Sequence, residues 1–558
     1  MDFAVPNPDA MLSSGTSLPE ILIPGILDCL LPRNGLACSL RVVNKATAAI
    51  LGTPEFMTVR LSEPVPHHAF AWRWGRPGAM RDMTRAQRRE LLCLTAASGA
   101  TDNLALAARA VACPLTAEVG YAAGKAGQLG SCAMLAELGY DMGRAVEGAA
   151  AGGHLALCEE LLSRWAGVRH DLFICAVAAA KAGHVHVAEW MMRRDEGMRP
   201  SSQAVWKIGE GVAERCDLAT LQRFLAKWTR QRRAAQGWVE QSQLCVLAAA
   251  AGSHTPDWRA KVEWLESQGF PQTWRAFAAA AKRPDALERF AWLAQRGYPR
   301  PDGGKLVVSL RGVARGGNAA AVLCLAEDWP ASPDFTDVAG AAAVSGHLHV
   351  LQALHSAGRR FDAHGASSGA ARNGHLHVLA WLVEEALGLD AVPLHEELFE
   401  AAAGSGRVEL LAWLRERGCP WGVRTFTADV ESGCEAALEW LVERGYPMPE
   451  DGSPYEVAAQ AVDVATLEGL RRLGCPWGPA RRLLDSGVAG GVPVMSWLVA
   501  SGCPLHWRGG LVQAIEAEAH RRVQEASEGM DWGRWARRRE ESVRVLAWLR
   551  AEAAARRP

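Results

Sequence analysis

The chain has almost no net charge and no long apolar run. Its 60 lysine and arginine residues balance 61 aspartate and glutamate residues, so no overall field would attract nucleic acid or anionic lipid. No segment reaches the roughly 18 consecutive apolar residues that a transmembrane helix needs. We therefore expect neither nucleic acid nor a membrane among the partners of this protein.

The beginning of the chain also lacks the features of a signal peptide. Asp2 and Asp9 stand where positive charge belongs, and Pro19 and Pro24 interrupt the apolar stretch. The 14 cysteines are scattered through 558 residues, unlike the dense cysteines of a small secreted disulfide scaffold. We expect reduced cysteines and an intracellular protein, cytoplasmic or nuclear.

Common catalytic and metal-binding motifs are missing too. There is no H-E-x-x-H, paired C-x-x-C, P-loop or G-x-S-x-G, and His395 in "HEEL" has no second histidine at the required offset. The H-x-H pairs that begin at His184, His347 and His375 direct their two rings to different faces of a helix. We expect no enzyme activity, no metal and no cofactor, with a site hidden in the irregular residues 205–245 as the open alternative.

What the chain does have is a repeat of about 28 residues. Gly346 and Gly374 are 28 residues apart, Gly445 and Gly474 are 29 apart, and Gly474 and Gly502 are 28 apart. A fixed period of this length is typical of stacked supersecondary units, because two short helices and a tight loop fit into it. Neither helix of such a unit buries its apolar stripe alone, so neighbouring units supply the core.

Each unit contains the signals of two helices. The first is alanine-rich, as in "FICAVAAAKAG" at 173–183, and alanine has the highest helix propensity. The second has apolar residues at helical spacing, as in "HLHVLAWLVEE" from His375. A glycine closes it, often with a proline two residues later that cannot continue the helix. These exit glycines are Gly269, Gly297, Gly358, Gly418, Gly445, Gly474 and Gly502.

The repeat predicts an all-α fold of about thirteen helix pairs between residues 91 and 510. The pattern is weak near 205–235 and 306–330. Stacked in a straight line, thirteen pairs would span on the order of 100 Å. We therefore expect an elongated array in which each pair contacts only its neighbours.

The units resemble those of ankyrin-repeat proteins. The family pattern A-A-x-x-G-H-x-x-V-x-x-L-L-x-x-G is matched by Ala370, Ala371, Gly374, His375, Val378, Leu382 and Gly388. The "G-C-P-W" joints at 418–421 and 474–477 resemble a divergent ankyrin group found in algae and large viruses. No unit has the T-P-L-H opening and most are shorter than the usual ~33 residues, which leaves the β-hairpin fingers of the family unsupported. The resemblance implies a right-handed solenoid that binds other proteins.

Aromatic residues recur in the units at two kinds of position. Tryptophans such as Trp413 and Trp440 recur in the second helices, where packing between units is the expected role. Trp421 and Trp477 lie instead in the joints, where Tyr446 takes the equivalent place in another unit. Because tryptophan and tyrosine are common at binding hot spots, we single out these three joint residues as candidate partner contacts. Packing at the base of the loop is the alternative interpretation.

The residues before the array resemble an F-box. The family pattern of leucine, proline and isoleucine positions is matched by Leu18, Pro19, Ile21, Leu22, Ile26 and Leu30. Pro24 and Gly25 depart from it. The resemblance implies that these residues bind the adaptor of a cullin ubiquitin ligase. A helical cap over the open end of the array is the alternative.

These patterns divide the chain into five segments. We expect a disordered N-terminus (1–15), an F-box-like helical module (16–52), a linker and entry helix (53–90), the ankyrin-like array (91–510) and capping helices (511–558). The expected function is non-enzymatic binding of a protein partner by a monomer. The alternative is a substrate receptor of a ubiquitin ligase, in which the array selects the substrate.

Overall fold

The fold is built almost entirely from α-helices. The computed structural model describes residues 2–4, 32–43, 45–112, 116–139, 142–165, 171–194, 202–229, 236–327, 334–386, 392–503, 543–548 and 550–552. Within these ranges the only strands are β1 (Asp2–Ala4) and β2 (Thr58–Arg60), which pair antiparallel with Phe3 opposite Val59. No described helix combines the length and apolar composition that crossing a membrane requires.

The residues ahead of the array are more structured than expected. Helices span Arg33–Gly35, Lys45–Ile50, Pro54–Met57 and His67–Trp74, with a π-helical turn at Leu36–Leu40. Leu36, Leu51 and Phe56 form a small core of their own. Residues 2–4, expected to be disordered, form β1, and residues 53–84, expected to be a linker, contain two helices and a strand. Pairing of β1 with β2 and packing of His67–Trp74 on the array explain both corrections.

The array consists of helix pairs, as the period predicted. In pairs 1 to 13 the first helix precedes a turn and the second returns along it. The pairs are Arg85–Ser98 with Thr101–Val111 (pair 1), Ala117–Lys125 with Leu129–Glu137 (2), Gly143–Gly152 with Leu155–Arg164 (3), Leu172–Ala182 with Val185–Arg194 (4), Ser202–Arg215 with Leu218–Thr229 (5), Gln236–Ala251 with Trp258–Ser267 (6), Arg275–Ala280 with Ala286–Gln295 (7), Gly303–Arg315 with Ala319–Leu325 (8), Thr336–Val344 with Leu348–Ser356 (9), Ala363–Arg372 with Leu376–Trp381 and a π-helical turn Leu382–Ala386 (10), Glu396–Ala403 with Val408–Glu416 (11), Thr425–Ser432 with Glu435–Glu443 (12), and Ser453–Gln460 with Val464–Arg472 (13).

A fused element follows the last of these pairs. Ala480–Ala500 runs as one helix except at Gly491, whose φ of 77° and ψ of −169° break it. Pro493 begins the second half, where it has no N–H to donate to the preceding turn. The element therefore takes the place of a further pair at this end of the array. Beyond it, residues 543–548 are helical and Val545 is fully buried.

Successive pairs pack through their first helices. Each first helix contacts the first helix of the next pair along the whole array. Between pairs 2 and 3 the contact surface includes glycine and alanine. A Cβ on Gly124 would lie 2.1 Å from the carbonyl oxygen of Ala145, and one on Gly148 would lie 2.1 Å from that of Tyr121. Only small residues fit where helix backbones come this close.

The exit glycines have the conformation that the sequence predicted. All seven have φ between 67° and 82°, the left-handed region in which a side chain is costly. Among the described residues the connections between pairs contain no strand, so the loops carry no β-hairpin fingers there. The weak stretches near 205–235 and 306–330 contain helices of pairs 5 and 8.

The array is not a straight spine, because its beginning packs against pairs 12 and 13. The amide of Ala436 donates to the carbonyl of Arg81 at 2.8 Å, and the amide of Val464 donates to the carbonyl of Ala112 at 3.0 Å. A Cβ on Gly406 in the turn of pair 11 would lie 2.9 Å from Thr84. The expectation of an extended array in which each pair contacts only its neighbours is therefore wrong.

A buried ion pair holds this closure contact together. Asp463 is completely buried and Arg88 is 2% exposed. The Arg88 guanidinium donates to both carboxylate oxygens of Asp463, at 2.9 and 2.7 Å, and Arg85 donates to the same carboxylate at 3.0 Å. Arg88 also donates to the carbonyl of Gly433 at 3.0 Å. One charged group thus joins the first pair to two distant pairs.

Pair 13 departs from the repeat at this point. In pairs 1 to 4 and 8 to 12 a glycine in the left-handed conformation precedes the second helix, as Gly374 precedes His375. Val462 and Asp463 occupy those two positions in pair 13. Val462 has φ of 54°, and the only other described non-glycine residue with positive φ is Ala112, across the contact. Both residues that adopt this costly conformation therefore lie where the array closes.

Candidate functional site

The six F-box-like positions Leu18, Pro19, Ile21, Leu22, Ile26 and Leu30 lie outside the described residues. Their adaptor-binding role stays a prediction. The small helical unit that follows them, with its core of Leu36, Leu51 and Phe56, is attached to the array through the segment around β2. Asn34 fixes it there, because its side chain donates to the carbonyl of Arg60 at 2.7 Å and accepts from the Arg60 amide at 2.9 Å.

Two of the three joint aromatics pack against each other. The ring of Trp421 lies edge-on to those of Phe399 at 6.2 Å and Tyr446 at 5.4 Å, and the Arg415 guanidinium covers it at 4.2 Å. Tyr446 is 6% exposed, and its hydroxyl donates to the carbonyl of Gly422 at 2.7 Å. These contacts tie pair 11 to pair 12. They leave Tyr446 little surface for a partner and Trp421 a half-buried edge.

The third joint residue has a similar environment. Trp477 stacks on Tyr455 with ring centres 4.5 Å apart and lies 5.8 Å from Trp497. The Arg471 guanidinium lies 5.2 Å from its ring centre. Burial raises the pKa of Tyr455, whose hydroxyl donates to the carbonyl of Cys475. All three joint aromatics thus contribute to packing between pairs, and their role in partner binding stays a prediction.

The periodic tryptophans of the second helices pack against the core, as their positions predicted. An arginine four residues further on covers the outer face of several of them. The guanidinium-to-ring distances are 4.0 Å for Arg417 on Trp413, 4.1 Å for Arg444 on Trp440, 4.8 Å for Arg296 on Trp292 and 5.2 Å for Arg194 on Trp190. Since cation–π contacts occupy these ring faces, the tryptophans do not form an open aromatic ladder.

The histidines of two H-x-H pairs, which begin at His347 and His375, contact backbone carbonyls of the preceding pair. His347 and His349 direct Nε2 at the carbonyls of Arg315 and Gly317, at 2.9 and 2.6 Å. The next pair repeats the arrangement, with His375 and His377 at 3.1 and 3.0 Å from the carbonyls of Val344 and Gly346. Each ring thus satisfies a carbonyl at a helix end that has no partner within its own helix. These imidazoles join neighbouring pairs.

One cluster in the described residues has the composition of a metal site. His364, His395 and Glu397 bring one ligand atom each within 4.8 Å of one another, and Nε2 of His395 lies 3.1 Å from Nδ1 of His364. However, Nδ1 of His395 accepts from the Leu398 amide at 3.0 Å. The other nitrogen must then carry the proton in the neutral ring, whereas a ligating histidine donates from its second nitrogen. The cluster is therefore a helix cap and not a prepared metal site.

A buried serine and lysine meet between pairs 5 and 6, near the irregular stretch. Lys261 Nζ donates to Ser253 Oγ at 2.6 Å and to the carbonyl of Ala213 at 3.0 Å, and it lies 3.7 Å from Asp257. Burial lowers the pKa of Lys261, which resembles the activation of a nucleophile. Yet Ser253 and Lys261 are both completely buried, so a substrate cannot reach the hydroxyl. This network joins two pairs and was not evident from the sequence.

The described cysteines are free thiols, and several are poor nucleophiles. Burial raises the pKa of Cys38, Cys93 and Cys132 to about 11 and that of Cys158 to about 12. They are therefore protonated at neutral pH. Since the thiolate is the reactive form, these side chains act as small buried apolar groups.

A groove lies over pairs 2 to 5 and has a volume of about 860 Å³. The first helices of these four pairs form it. Its floor includes Phe173 and Ile174 at the start of pair 4, which are 38% and 47% exposed. Lys125, Lys181 and Arg215 lie around it, and all three are exposed. The groove therefore combines apolar surface with positive charge.

Comparison with protein-family models finds no family that matches this chain. Comparison with curated proteins likewise finds no match.

Proposed function

We propose that this protein is a non-enzymatic binding protein whose ankyrin-like array of helix pairs holds a protein partner. The observation that carries the proposal is the groove over pairs 2 to 5, because Phe173 and Ile174 line it and are exposed. Concave sites with apolar floors and a few polar groups are where proteins bind ligands. In this proposal the protein acts inside the cell as a monomer, without a cofactor.

The repeated residues support this proposal because they make contacts between neighbouring pairs of the array. The periodic alanines, histidines and tryptophans are engaged in contacts between pairs. A residue that recurs in every pair serves packing, so recognition falls to residues that depart from the repeat. Phe173 and Ile174 differ from the residues at the same positions in most pairs. Counted from the glycine before the second helix, these positions hold Thr336–Asp337 in pair 9 and Glu396–Glu397 in pair 11, whereas pair 8 has Val307–Val308 and pair 12 has Val423.

Proximity labelling in the protein's own cell tests this proposal. Full-length wild type is compared with a Phe173→Glu, Ile174→Glu double variant. Val308 and Val423, 66% and 86% exposed, supply a matched control when both are changed to glutamate. We expect the groove variant to lose proteins that wild type and control both label, with unchanged thermal unfolding. The same labelled proteins in all three would exclude the groove as the binding surface.

A second candidate function is that of a ubiquitin-ligase substrate receptor. It is favoured by the F-box-like pattern from Leu18 to Leu30 and by the separate small core of the helical unit that follows. In this case the array selects the substrate and the N-terminal module recruits the ligase. A pull-down of the full chain with the ligase adaptor is the test. Binding that is lost in an Ile21→Asp, Leu22→Asp variant supports it, and no binding by wild type rejects it.

A further inference from the structure

We propose that the groove over pairs 2 to 5 takes an acidic protein segment that carries a large apolar side chain. The inference rests on the proposed function and names the chemistry of the partner. Its two elements are the uncompensated positive charge around the groove and the apolar floor at the start of pair 4.

The charge is local and is not cancelled within the groove. Glu147 is paired with Arg144 at 2.7 Å, and Lys207 is paired with Glu210 at 3.1 Å. No described carboxylate lies within ion-pairing distance of Lys125, Lys181 or Arg215. A chain with a formal net charge of −1 therefore carries three uncompensated cations around one groove.

Histidine does not add to this charge at neutral pH. His184 lies at the same groove, and burial together with the neighbouring His186 and His154 lowers its pKa below the ordinary 6.5. The field at pH 7 thus comes from lysine and arginine alone. Because the lysine ammonium groups are exposed at the ends of long, flexible side chains, they can form ion pairs with carboxylates of a partner in several geometries.

The apolar floor selects a protein segment over a nucleic acid. Phe173 and Ile174 lie side by side at the first turn of their helix, with Val177 half-buried one turn further on. An aliphatic or aromatic side chain would bury these surfaces at about 25 cal/mol per Å². Binding of DNA through its phosphates draws its affinity from lysine and arginine contacts to the backbone, and this groove offers three free cations beside an apolar floor. An acidic segment with one apolar anchor matches both features.

The geometry of the groove also favours an extended or helical segment over a flat surface. It is bounded by four parallel first helices, from Tyr121 in pair 2 to Arg215 in pair 5. Lys125 and Lys181 lie near the ends of the first helices of pairs 2 and 4, whereas Phe173 lies at the start of the latter. The cations are therefore displaced from the apolar floor along the helix axes. A bound segment would place its anchor at one end of the groove and its carboxylates at the other.

Selection from a random peptide library on the immobilised full-length chain tests the inference. We expect the retained peptides to be acidic and to contain leucine, phenylalanine or tryptophan. Their dissociation constants are then measured by fluorescence anisotropy with labelled copies. A Lys125→Glu, Lys181→Glu variant should weaken binding about tenfold, since two attractions become repulsions. Added salt should weaken binding to wild type.

A matched control has the same change of charge elsewhere. Lys282 and Arg372 are exposed and lie outside the groove, so Lys282→Glu, Arg372→Glu should bind the peptides as wild type does. If the retained peptides are not acidic, or if reversal at Lys125 and Lys181 changes affinity less than about twofold, the inference is wrong. The proposed function survives that result when Phe173→Glu, Ile174→Glu still abolishes binding, and fails when this variant binds normally.

The same variants distinguish two other candidate occupants of the groove, a nucleic acid and a second copy of the chain. A single-stranded DNA oligonucleotide that binds wild type more tightly than any retained peptide, and is lost on reversal at Lys125 and Lys181, would identify a nucleic-acid site. Dimerisation of wild type in sedimentation velocity that Phe173→Glu abolishes would identify a second copy of the chain. Either result would overturn the inference.

Discussion

Removing the charge of Asp463 should open the closure contact between pair 1 and pairs 12 and 13. In Asp463→Asn the side chain keeps its shape, but the guanidinium of Arg88, 2% exposed, loses its counter-charge. Breaking a buried ion pair by removing one partner costs about 3–5 kcal/mol. The ratio of closed to open arrays should therefore fall by about two to four orders of magnitude.

Small-angle X-ray scattering and amide exchange measure this opening. The maximum dimension should rise in Asp463→Asn, and the amides of Ala436 and Val464, which donate across the contact, should lose protection. The matched control is Glu160→Gln, which removes an exposed ion pair with Arg164 and should cost no more than about 1 kcal/mol. Unchanged dimensions and unchanged protection in Asp463→Asn would refute the assignment of the buried pair as the element that closes the array.

A double replacement shows whether the unpaired charge is the cause. Arg88→Met combined with Asp463→Leu removes both charges and fills the space with apolar atoms. Because apolar replacement of a buried ion pair is often neutral or stabilising, the double variant should be closer to wild type than Asp463→Asn is. If it is as open as the single variant, the loss comes from the hydrogen bonds and not from the buried charge.

The closure contact should resist mild acid. Burial opposes ionisation of Asp463, but the charges and hydrogen bonds of Arg88 and the charge of Arg85 outweigh it and hold its pKa below the ordinary 3.8. A carboxyl group whose folded pKa is depressed contributes stability above its unfolded value, and that stability is lost as the pH falls through the folded pKa. The array should therefore stay closed at about pH 5 and open only below about pH 4.

Three further substitutions test local features of the array by chemical denaturation. Gly406→Ala should lower the free energy of unfolding more than Gly418→Ala. Both glycines have positive φ, which costs an alanine about 1–2 kcal/mol. Of the two, Gly406 is the one at which the Cβ would lie under 3.0 Å from neighbouring atoms. Equal losses in the free energy of unfolding would contradict this. Asp429→Asn should be more stable than wild type near pH 8 and lose that advantage toward pH 4. Burial raises the pKa of Asp429 well above 3.8, so wild type loses stability as the pH rises through this raised folded pKa. A difference in stability that does not change with pH would count against a neutral Asp429. Val462→Gly should stabilise the chain by up to about 1 kcal/mol, because it removes the backbone strain of a β-branched residue at φ of 54°. A loss of stability would show that packing of the Val462 side chain contributes more than the backbone strain costs.

Much of the local structure could be predicted from the sequence. The period of about 28 residues predicted helix pairs, and the exit glycines from Gly269 to Gly502 have the left-handed conformation expected of them. These features depend on residues within one unit, where helix propensity and the backbone freedom of glycine determine the conformation. The expectations failed where contacts were distant in sequence. The pairing of Phe3 with Val59 gave structure to the N-terminus, and packing against pair 1 gave a helix to His67–Trp74.

The sequence indicated some residues of the candidate site and missed others. Trp421, Tyr446 and Trp477 stood out because aromatic residues recur at the joints, yet burial of Tyr446 became evident only from its neighbours. Phe173 and Ile174 were part of the alanine-rich example "FICAVAAAKAG", and their departure from the repeat was the signal that could have marked them. Their exposure depends on how closely pairs 3 and 5 approach pair 4. That distance is a property of the packed array.

The sequence by itself determined the repeating unit, since helix propensity, alanine spacing and glycine turns act within a few residues of one another. Only the tertiary structure decided how the units are arranged as a whole. Arg88 and Asp463 are 375 residues apart, and each looks like an ordinary charged residue of its own unit. Whether they meet depends on how every intervening pair packs on the next. The meeting of these two charges, and with it the closed array, therefore depends on all the intervening pairs together.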